Sequence, residues 1–105
     1  MITRMKSKEK LTAAQSVKGA RVFQALANPL RLEIMQALIE GSMTCSELQR
    51  LLKCPQPTLS LQLKVLVDQG LVATEREGTV KRCSIRNADF IELFTCLRRH
   101  LTEVL

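Results

Sequence analysis

Four cysteines carry the most versatile side-chain chemistry of this chain: Cys45, Cys54, Cys83 and Cys96. No two of them have the C-x-x-C spacing of a zinc finger, which argues against that kind of site. Cys45 falls in the first turn of a predicted helix, where the helix dipole favours a thiolate although the nearby Glu47 opposes it. Cys54 lies beside Lys53, whose positive charge also favours a thiolate. Both are candidates for thiol sensing, and the alternative for each is a small buried hydrophobic side chain.

A second set of candidate ligands lies near the C-terminal end. At about 100° per residue, a helix there brings four side chains within about 60° of one another. These candidate metal ligands are Asp89, Cys96, His100 and Glu103. Zinc accepts such nitrogen and oxygen ligands, provided that antiparallel helices of two chains bring Asp89 of one chain to His100 and Glu103 of the other. The alternative is the polar margin of a dimer helix.

Composition narrows the class of function. His100, the single histidine, has no serine or cysteine placed to act with it, and no glycine-rich phosphate loop is present, so an enzyme is not expected. Lys and Arg number 16 against 10 acidic residues, a net charge of +6 that suits a polyanionic partner. Because Trp and Tyr are absent, few side chains could stack on single-stranded nucleic acid.

The length of 105 residues fits one domain, and 46% hydrophobic residues exclude intrinsic disorder. Residues 1–10 are predicted to be a flexible basic tail and residues 11–105 the folded domain. No apolar run approaches the roughly 18 residues that a membrane span needs, and no signal-peptide segment follows the basic start. We therefore expect a cytoplasmic protein without a membrane partner, whose cysteines are reduced thiols.

Four helices are predicted in the first two thirds of the domain. A helical pattern covers residues 11–27, and Asn28-Pro29 is an N-cap followed by proline at the first helical position. The capping-box pattern Thr44-x-x-Glu47 begins a short third helix. After a break of about four residues, a fourth begins near Pro57. The apolar residues expected to face inward on the last two helices are Leu48, Leu51, Leu52, Leu59, Leu63 and Leu66.

Beyond Gly70 the pattern changes to alternation, which predicts strands over residues 71–76 and 80–85, joined by a turn around Gly78. Cys83 is expected to face the core. Asn87 caps a last helix. Its apolar face, broader than a chain end needs, predicts a dimer interface of Phe90, Leu93, Phe94, Leu97, Leu101 and Val104. The predicted fold is mainly α with a β-hairpin, in the order α-α-α-α-β-β-α.

The third and fourth helices have the form of a helix-turn-helix. In this motif the first helix braces across the DNA backbone while the second enters the major groove. Short polar side chains on the second helix suit base contacts, and basic side chains there and on the hairpin suit phosphates. The predicted DNA-binding residues are Gln56, Thr58, Ser60, Gln62 and Lys64 on the helix, and Arg76, Lys81 and Arg82 on the hairpin. The alternative is a protein-interaction module without sequence-specific DNA binding.

Residues 25–34 (ALANPLRLEI), residues 56–66 (QPTLSLQLKVL) with the following Gly70-Leu71-Val72, and the turn at Glu77-Gly78 resemble the ArsR/SmtB family of bacterial winged-helix repressors. The resemblance covers about residues 20–104. It implies a dimeric winged helix-turn-helix transcriptional repressor that binds a palindromic operator and releases it when an inducer binds. This chain departs from the family pattern at Gln62, where many members have histidine.

The resemblance also bears on the inducer. The family's third-helix thiol pair falls at Thr44 and Ser46, which leaves only Cys45 between them and puts arsenite or cadmium sensing by that route in doubt. His100 and Glu103 match half of the family's last-helix zinc site. In the family, the other half of this zinc site consists of an acidic residue and a histidine. This chain has Asn87 and Asp89 at those two positions. The sequence assigns no resident cofactor, and the candidate inducers are zinc, a thiophilic metal ion and a thiol-reactive or redox signal.

Overall fold

The computed structural model describes residues 9–104, which form five helices and three strands. In chain order these are α1 (Ala13–Leu26), α2 (Pro29–Ile39), β1 (Met43–Thr44), α3 (Cys45–Leu52), α4 (Gln56–Asp68), β2 (Val72–Glu77), β3 (Val80–Ile85) and α5 (Asp89–Val104). The predicted winged helix-turn-helix fold is confirmed, with β1 as an addition. The predicted tail lies outside the described residues except for its last two. None of the described helices is long and apolar enough to span a membrane.

Side-chain caps determine where the first three helices begin. The Asn28 side-chain oxygen accepts a hydrogen bond from the backbone N–H of Arg31, the third residue of α2, as its sequence pattern predicts. Thr44 and Glu47 form the predicted capping box of α3, and Thr12 and Gln15 form a second one at α1 that the sequence interpretation missed. Each box satisfies two backbone N–H groups that a helix start leaves without partners. These helix boundaries are therefore local properties of the sequence.

The sheet has three antiparallel strands in the order β1-β3-β2. Strands β2 and β3 form the predicted hairpin, with Glu77 paired to Val80 across a two-residue turn. Gly78 in this turn has a φ of 66°, a left-handed conformation that glycine adopts without steric cost. Strand β1 pairs Met43 with Cys83 and so ties the start of α3 to the hairpin. A two-residue strand is too short to show alternation, which is why the sequence did not predict it.

One apolar cluster joins the helices to the sheet. Helix α4 contributes Leu59, Leu63 and Leu66, each no more than 1% exposed, as predicted. Burying a leucine contributes roughly 1.5–3 kcal/mol, so this row fixes which face of α4 points outward. The prediction that Leu51 faces inward is wrong, because its side chain is 58% exposed. Leu48 and Leu52 lie one turn apart on the inner face of α3, whereas Leu51 lies about 100° around the helix from Leu52.

Candidate nucleic-acid interface

The turn between α3 and α4 sets the geometry of the helix-turn-helix. It is one residue shorter than predicted, because α4 begins at Gln56. Lys53 ends α3 in a left-handed conformation with a φ of 50°, and the N–H groups of Lys53 and Cys54 both donate to the Gln49 carbonyl. Pro55 then takes the N-cap position of α4 with an extended backbone. A left-handed lysine costs about 1 kcal/mol, which the flanking helices must offset.

The outward face of α4 is centred on a leucine rather than on a polar residue. Opposite the buried leucine row lie Pro57, Leu61 and Lys64, and Leu61 is 62% exposed. Thr58 and Ser60, both exposed, lie on either side of this line. Leu61 was not among the predicted DNA contacts of α4, all of which are polar or basic. An apolar side chain in this position can contact a thymine methyl group in the major groove.

Several predicted DNA-binding side chains on α4 are hydrogen-bonded within the chain. The Gln56 side-chain amide donates to the Ser60 hydroxyl over 2.7 Å, which brings two candidate base-contacting residues together on one exposed surface. Lys64 Nζ lies 3.1 Å from an Asp68 carboxylate oxygen in an exposed ion pair. Exposed pairs of this kind contribute at most about 1 kcal/mol, so a phosphate group can displace Asp68 at little cost.

Gln62 differs from the other candidates because it is half-buried and held by Arg31. Arg31 Nη1 donates to the Gln62 side-chain oxygen over 2.7 Å. The same guanidinium group donates from Nη2 to the Gln24 carbonyl over 3.3 Å and from Nε to the Ala25 carbonyl. Arg31 therefore connects the end of α1 to α4, a role that no sequence pattern predicted.

The hairpin carries its three predicted phosphate-binding residues in two arrangements. Arg76 and Lys81 are directly opposed across β2 and β3. Like charges opposed in an antiparallel pair repel each other, so an anion bound between them would be favoured. Arg82 Nε lies 2.8 Å from a Glu77 carboxylate oxygen, and its Nη1 donates to the Ser42 hydroxyl over 3.3 Å. Arg82 is thus held toward the start of β1.

The four cysteines have different surroundings. Cys83 is fully buried, as expected, and its sulfur lies 3.7 Å from that of the half-buried Cys45. Burial and the neighbouring Cys45 raise the pKa of the Cys83 thiol well above its usual range. Cys54 is also buried, and its thiol donates to the Pro55 carbonyl over 3.5 Å, which limits access by a reagent. Cys96 is exposed on α5.

The candidate metal ligands on α5 do not form a site within one chain. Asp89, Cys96, His100 and Glu103 are all exposed along one helix. Across residues 9–104, no three histidine, cysteine or acidic side chains lie close enough together to hold a metal ion. A metal site built from this row therefore requires a second chain, as the sequence interpretation assumed.

Apolar side chains of α1 and α5 form a further exposed surface. On α1, Phe23 is 61% exposed. On α5, Phe94 is buried, whereas Leu97 and Leu101 are 39% and 43% exposed. Of the other predicted interface residues, Phe90 and Leu93 are half-buried and Val104 is exposed. Phe23, Leu93 and Leu97 line one shallow apolar groove between the two helices. This surface resembles an interface more than a solvated helix face.

Known proteins are similar to this chain in sequence. A family model described as a helix-turn-helix domain matches residues 26–75. A Streptomyces lividans protein described as a probable mercury resistance operon repressor is 40% identical over 81 residues, which are 74% of this chain and 65%, just under two thirds, of that protein. A Synechocystis protein described as a transcriptional repressor SmtB homolog is 30% identical over 95 residues, 90% of this chain and 72% of that protein.

A solved structure is similar over the whole chain. It is the solution structure of a Mycobacterium bovis domain, with a TM-score of 0.81 and 31% identity. The match covers 100% of this chain and 94% of that one. That domain is described as a homodimeric winged helix-turn-helix DNA-binding domain of a possible ArsR-family transcriptional regulator.

Proposed function

The chain belongs to the ArsR/SmtB family of winged helix-turn-helix transcriptional regulators, and we propose that it is a repressor that binds a palindromic operator as a homodimer and releases it when an inducer binds. The observation that carries this proposal is the exposed outer face of α4. It lies opposite a buried leucine row, on a helix that packs against the basic hairpin. A helix presented in this way fits the width of the major groove.

The residues of α4 divide by the DNA groups that they can reach. Leu61 supplies an apolar contact for a thymine methyl, and Thr58 and Ser60 supply hydroxyl groups on either side of it. Gln56, bonded to Ser60, lies at the N-terminal end, where groove contacts concentrate in helix-turn-helix proteins. Lys64 contacts a phosphate once it leaves Asp68. In this assignment Gln62 positions α4 through Arg31 rather than reading a base.

The hairpin supplies the electrostatic part of binding. Arg76 and Lys81, opposed across the two strands, place two positive charges beside each other near the turn. Arg82 adds a third, paired with Glu77 at an exposed position. Each cation that neutralises a phosphate releases counterions, so the affinity for DNA falls steeply as salt rises.

Dimerisation follows from the surface between α1 and α5. Phe23, Leu97 and Leu101 leave an apolar area that a second chain can cover. A two-fold pair of domains reads two half-sites about 34 Å apart, one turn of DNA, which matches a palindromic operator. The homodimeric state of the Mycobacterium bovis domain supports this arrangement.

The inducer that we propose is a metal ion or a thiol-reactive signal. The Streptomyces lividans relative is described as a mercury resistance repressor, and mercury is a thiophilic metal. This chain has four free cysteines, of which Cys45 and Cys96 reach the surface. Zinc bound by the α5 row of two chains remains the second candidate, with Asp89 of one chain meeting His100 and Glu103 of the other.

The proposal is tested by fluorescence anisotropy with DNA from upstream of the chain's own gene, at moderate salt, against a scrambled duplex of equal length. The double variant Thr58→Ala/Ser60→Ala is expected to lose specific binding while it remains a folded dimer. The matched control, Ser16→Ala/Thr95→Ala, removes the same groups from α1 and α5 and should bind normally. Equal binding to both duplexes, or affinity without salt dependence, would favour a protein-interaction module instead.

A further inference from the structure

Cys45 and Cys83 lie next to each other where the start of α3 packs against the hairpin. Cys45 is the first residue of α3, and Cys83 lies in β3 opposite Met43. Their sulfur atoms are 3.7 Å apart. A disulfide bond is about 2.05 Å long, so each sulfur has to move by less than about 1 Å to form one. The pair is thus close to bonding geometry without a rearrangement of either element.

The two thiols are unequal in a way that suits an ordered reaction. Cys45 is half-buried and is the more accessible of the two, whereas Cys83 is fully buried. Burial and the adjacent Cys45 raise the pKa of Cys83, which keeps that group a thiol at neutral pH. Within the described part of the chain, no third histidine, cysteine or acidic side chain joins the pair to complete a metal site.

We propose that Cys45 and Cys83 are a dithiol pair that a two-electron oxidant of the hydroperoxide class converts into an intramolecular disulfide. The Cys45 thiolate attacks one peroxide oxygen and the O–O bond breaks, which gives a sulfenic acid and hydroxide. The sulfur of Cys83 then attacks the sulfur of Cys45. The S–S bond forms, the S–O bond breaks, and the Cys83 proton leaves with the departing oxygen as water. The hydroxide takes up the proton that Cys45 lost and becomes the second water. In total the two thiols lose two electrons, and one hydrogen peroxide is reduced to two waters.

The disulfide ties the first helix of the helix-turn-helix to β3, the central strand of the sheet. The bond removes the freedom of α3 and β3 to move relative to each other, and Arg82, the neighbour of Cys83, lies on the strand that is fixed. We expect the affinity for operator DNA to change several-fold, because α3 and the hairpin approach DNA at different places. That consequence rests on the proposed function, whereas the disulfide itself does not.

The test uses the full chain with Cys54→Ala and Cys96→Ser, which leaves only the proposed pair. Hydrogen peroxide at equimolar concentration is expected to remove both remaining thiols and to lower the mass of the chain by two hydrogen atoms. A non-reducing peptide map should join the segments that contain Cys45 and Cys83. Adding Cys45→Ser should abolish the bond. Cys45→Ser is the main variant because Cys45 is only half-buried, whereas a change at the buried Cys83 would disturb packing. Cys83→Ala, the smaller change in polarity at that position, is the second variant.

Two outcomes would overturn the site: a sulfinic acid at Cys45 with Cys83 still reduced, or a disulfide that joins two chains. Operator affinity is measured separately on the reduced and oxidised forms. A disulfide that leaves operator affinity unchanged would overturn the coupling to DNA. Failure of the reduced protein to bind DNA contradicts the proposed function alone, since the thiol count and the mass do not depend on DNA.

Discussion

Arg31 donates a hydrogen bond from Nη1 to the side-chain oxygen of Gln62, so a residue of α2 holds the side chain of a predicted base-reading residue. Bidentate recognition of adenine by glutamine needs both its oxygen and its amide nitrogen. Because the oxygen of Gln62 is already engaged, that mode of recognition requires the bond to Arg31 to break. Gln62 therefore has a second candidate role, the positioning of α4, which competes with its predicted contact to DNA.

Replacing Gln62 should affect the stability of the protein more than its DNA specificity. We expect Gln62→Ala to reduce the free energy of unfolding by about 1–2 kcal/mol, because the half-buried Arg31 guanidinium loses the one side-chain acceptor among its three partners. Gln62→Glu keeps an acceptor for Arg31 and should retain most of the stability. Urea unfolding measures both. The control is Gln56→Ala, which removes an exposed bond to Ser60 and should change stability by less than about 0.5 kcal/mol. Equal losses in Gln62→Ala and Gln56→Ala would contradict the positioning role.

Leu61 is expected to read a thymine. Leu61→Ala should weaken operator binding by roughly 1 kcal/mol, about the lower limit for one mismatched base pair, without changing stability. Replacing individual thymines in the operator by deoxyuridine removes their methyl groups. One such replacement should weaken operator binding by the wild-type protein and leave binding by Leu61→Ala unchanged. Val67→Ala, another exposed apolar residue of α4, is the control. If every thymine replacement affects both proteins equally, Leu61 does not contact a methyl group.

Lys81 is expected to contribute about one phosphate contact. Lys81→Ala should lower the slope of log affinity against log salt by about 1, and it should weaken binding to operator and scrambled DNA alike. Stability should hold or rise slightly, because the repulsion with Arg76 is removed. Arg86→Ala deletes the same charge at the opposite end of the hairpin and should leave the slope unchanged. An equal change of slope in the two variants would mean that only net charge matters.

The exposed leucines of α5 are expected to hold the dimer. Leu97→Glu/Leu101→Glu should give a folded monomer, since two charges cannot be buried without partners. Arg99→Glu places an acid on the opposite side of the same helix and should remain dimeric. Light scattering coupled to size-exclusion chromatography distinguishes the two, and circular dichroism checks folding. A dimer that persists in the double variant would place the interface elsewhere.

Glu47 makes the start of α3 sensitive to acid. The Thr44 backbone N–H donates to its carboxylate over 3.0 Å, and this bond, followed by the one with the Thr44 side chain, lowers the pKa of Glu47. A carboxyl whose pKa is lower in the folded state stabilises the protein above its unfolded pKa, and this stabilisation is lost as pH falls through the folded pKa. The stability difference between wild type and Glu47→Gln should therefore narrow from pH 7 to pH 3, as urea midpoints would show. A constant difference would mean that the charge has no role.

The order of the helices and the hairpin was predictable because each signal acts over a few residues. Asn28 caps a backbone group three positions away, and Thr44 and Glu47 complete each other within one turn. The leucine row of α4 has the period of a helix and therefore marks its inner face. Local hydrogen bonds and periodic burial depend on spacing alone, so the sequence determined the helix-turn-helix, the hairpin and the family.

The tertiary structure alone decided which side chains meet across the chain. Arg31 and Gln62 are 31 positions apart, and Cys45 and Cys83 are 38 positions apart. Neither pair shares a helix or a periodic pattern, and the strand β1 that brings Cys45 to the hairpin has only two residues. Such contacts depend on which helices and strands pack against each other in the folded chain, and the spacing of residues in the sequence does not specify this packing. For the same reason, the sequence identified four thiols but not which of them lie together.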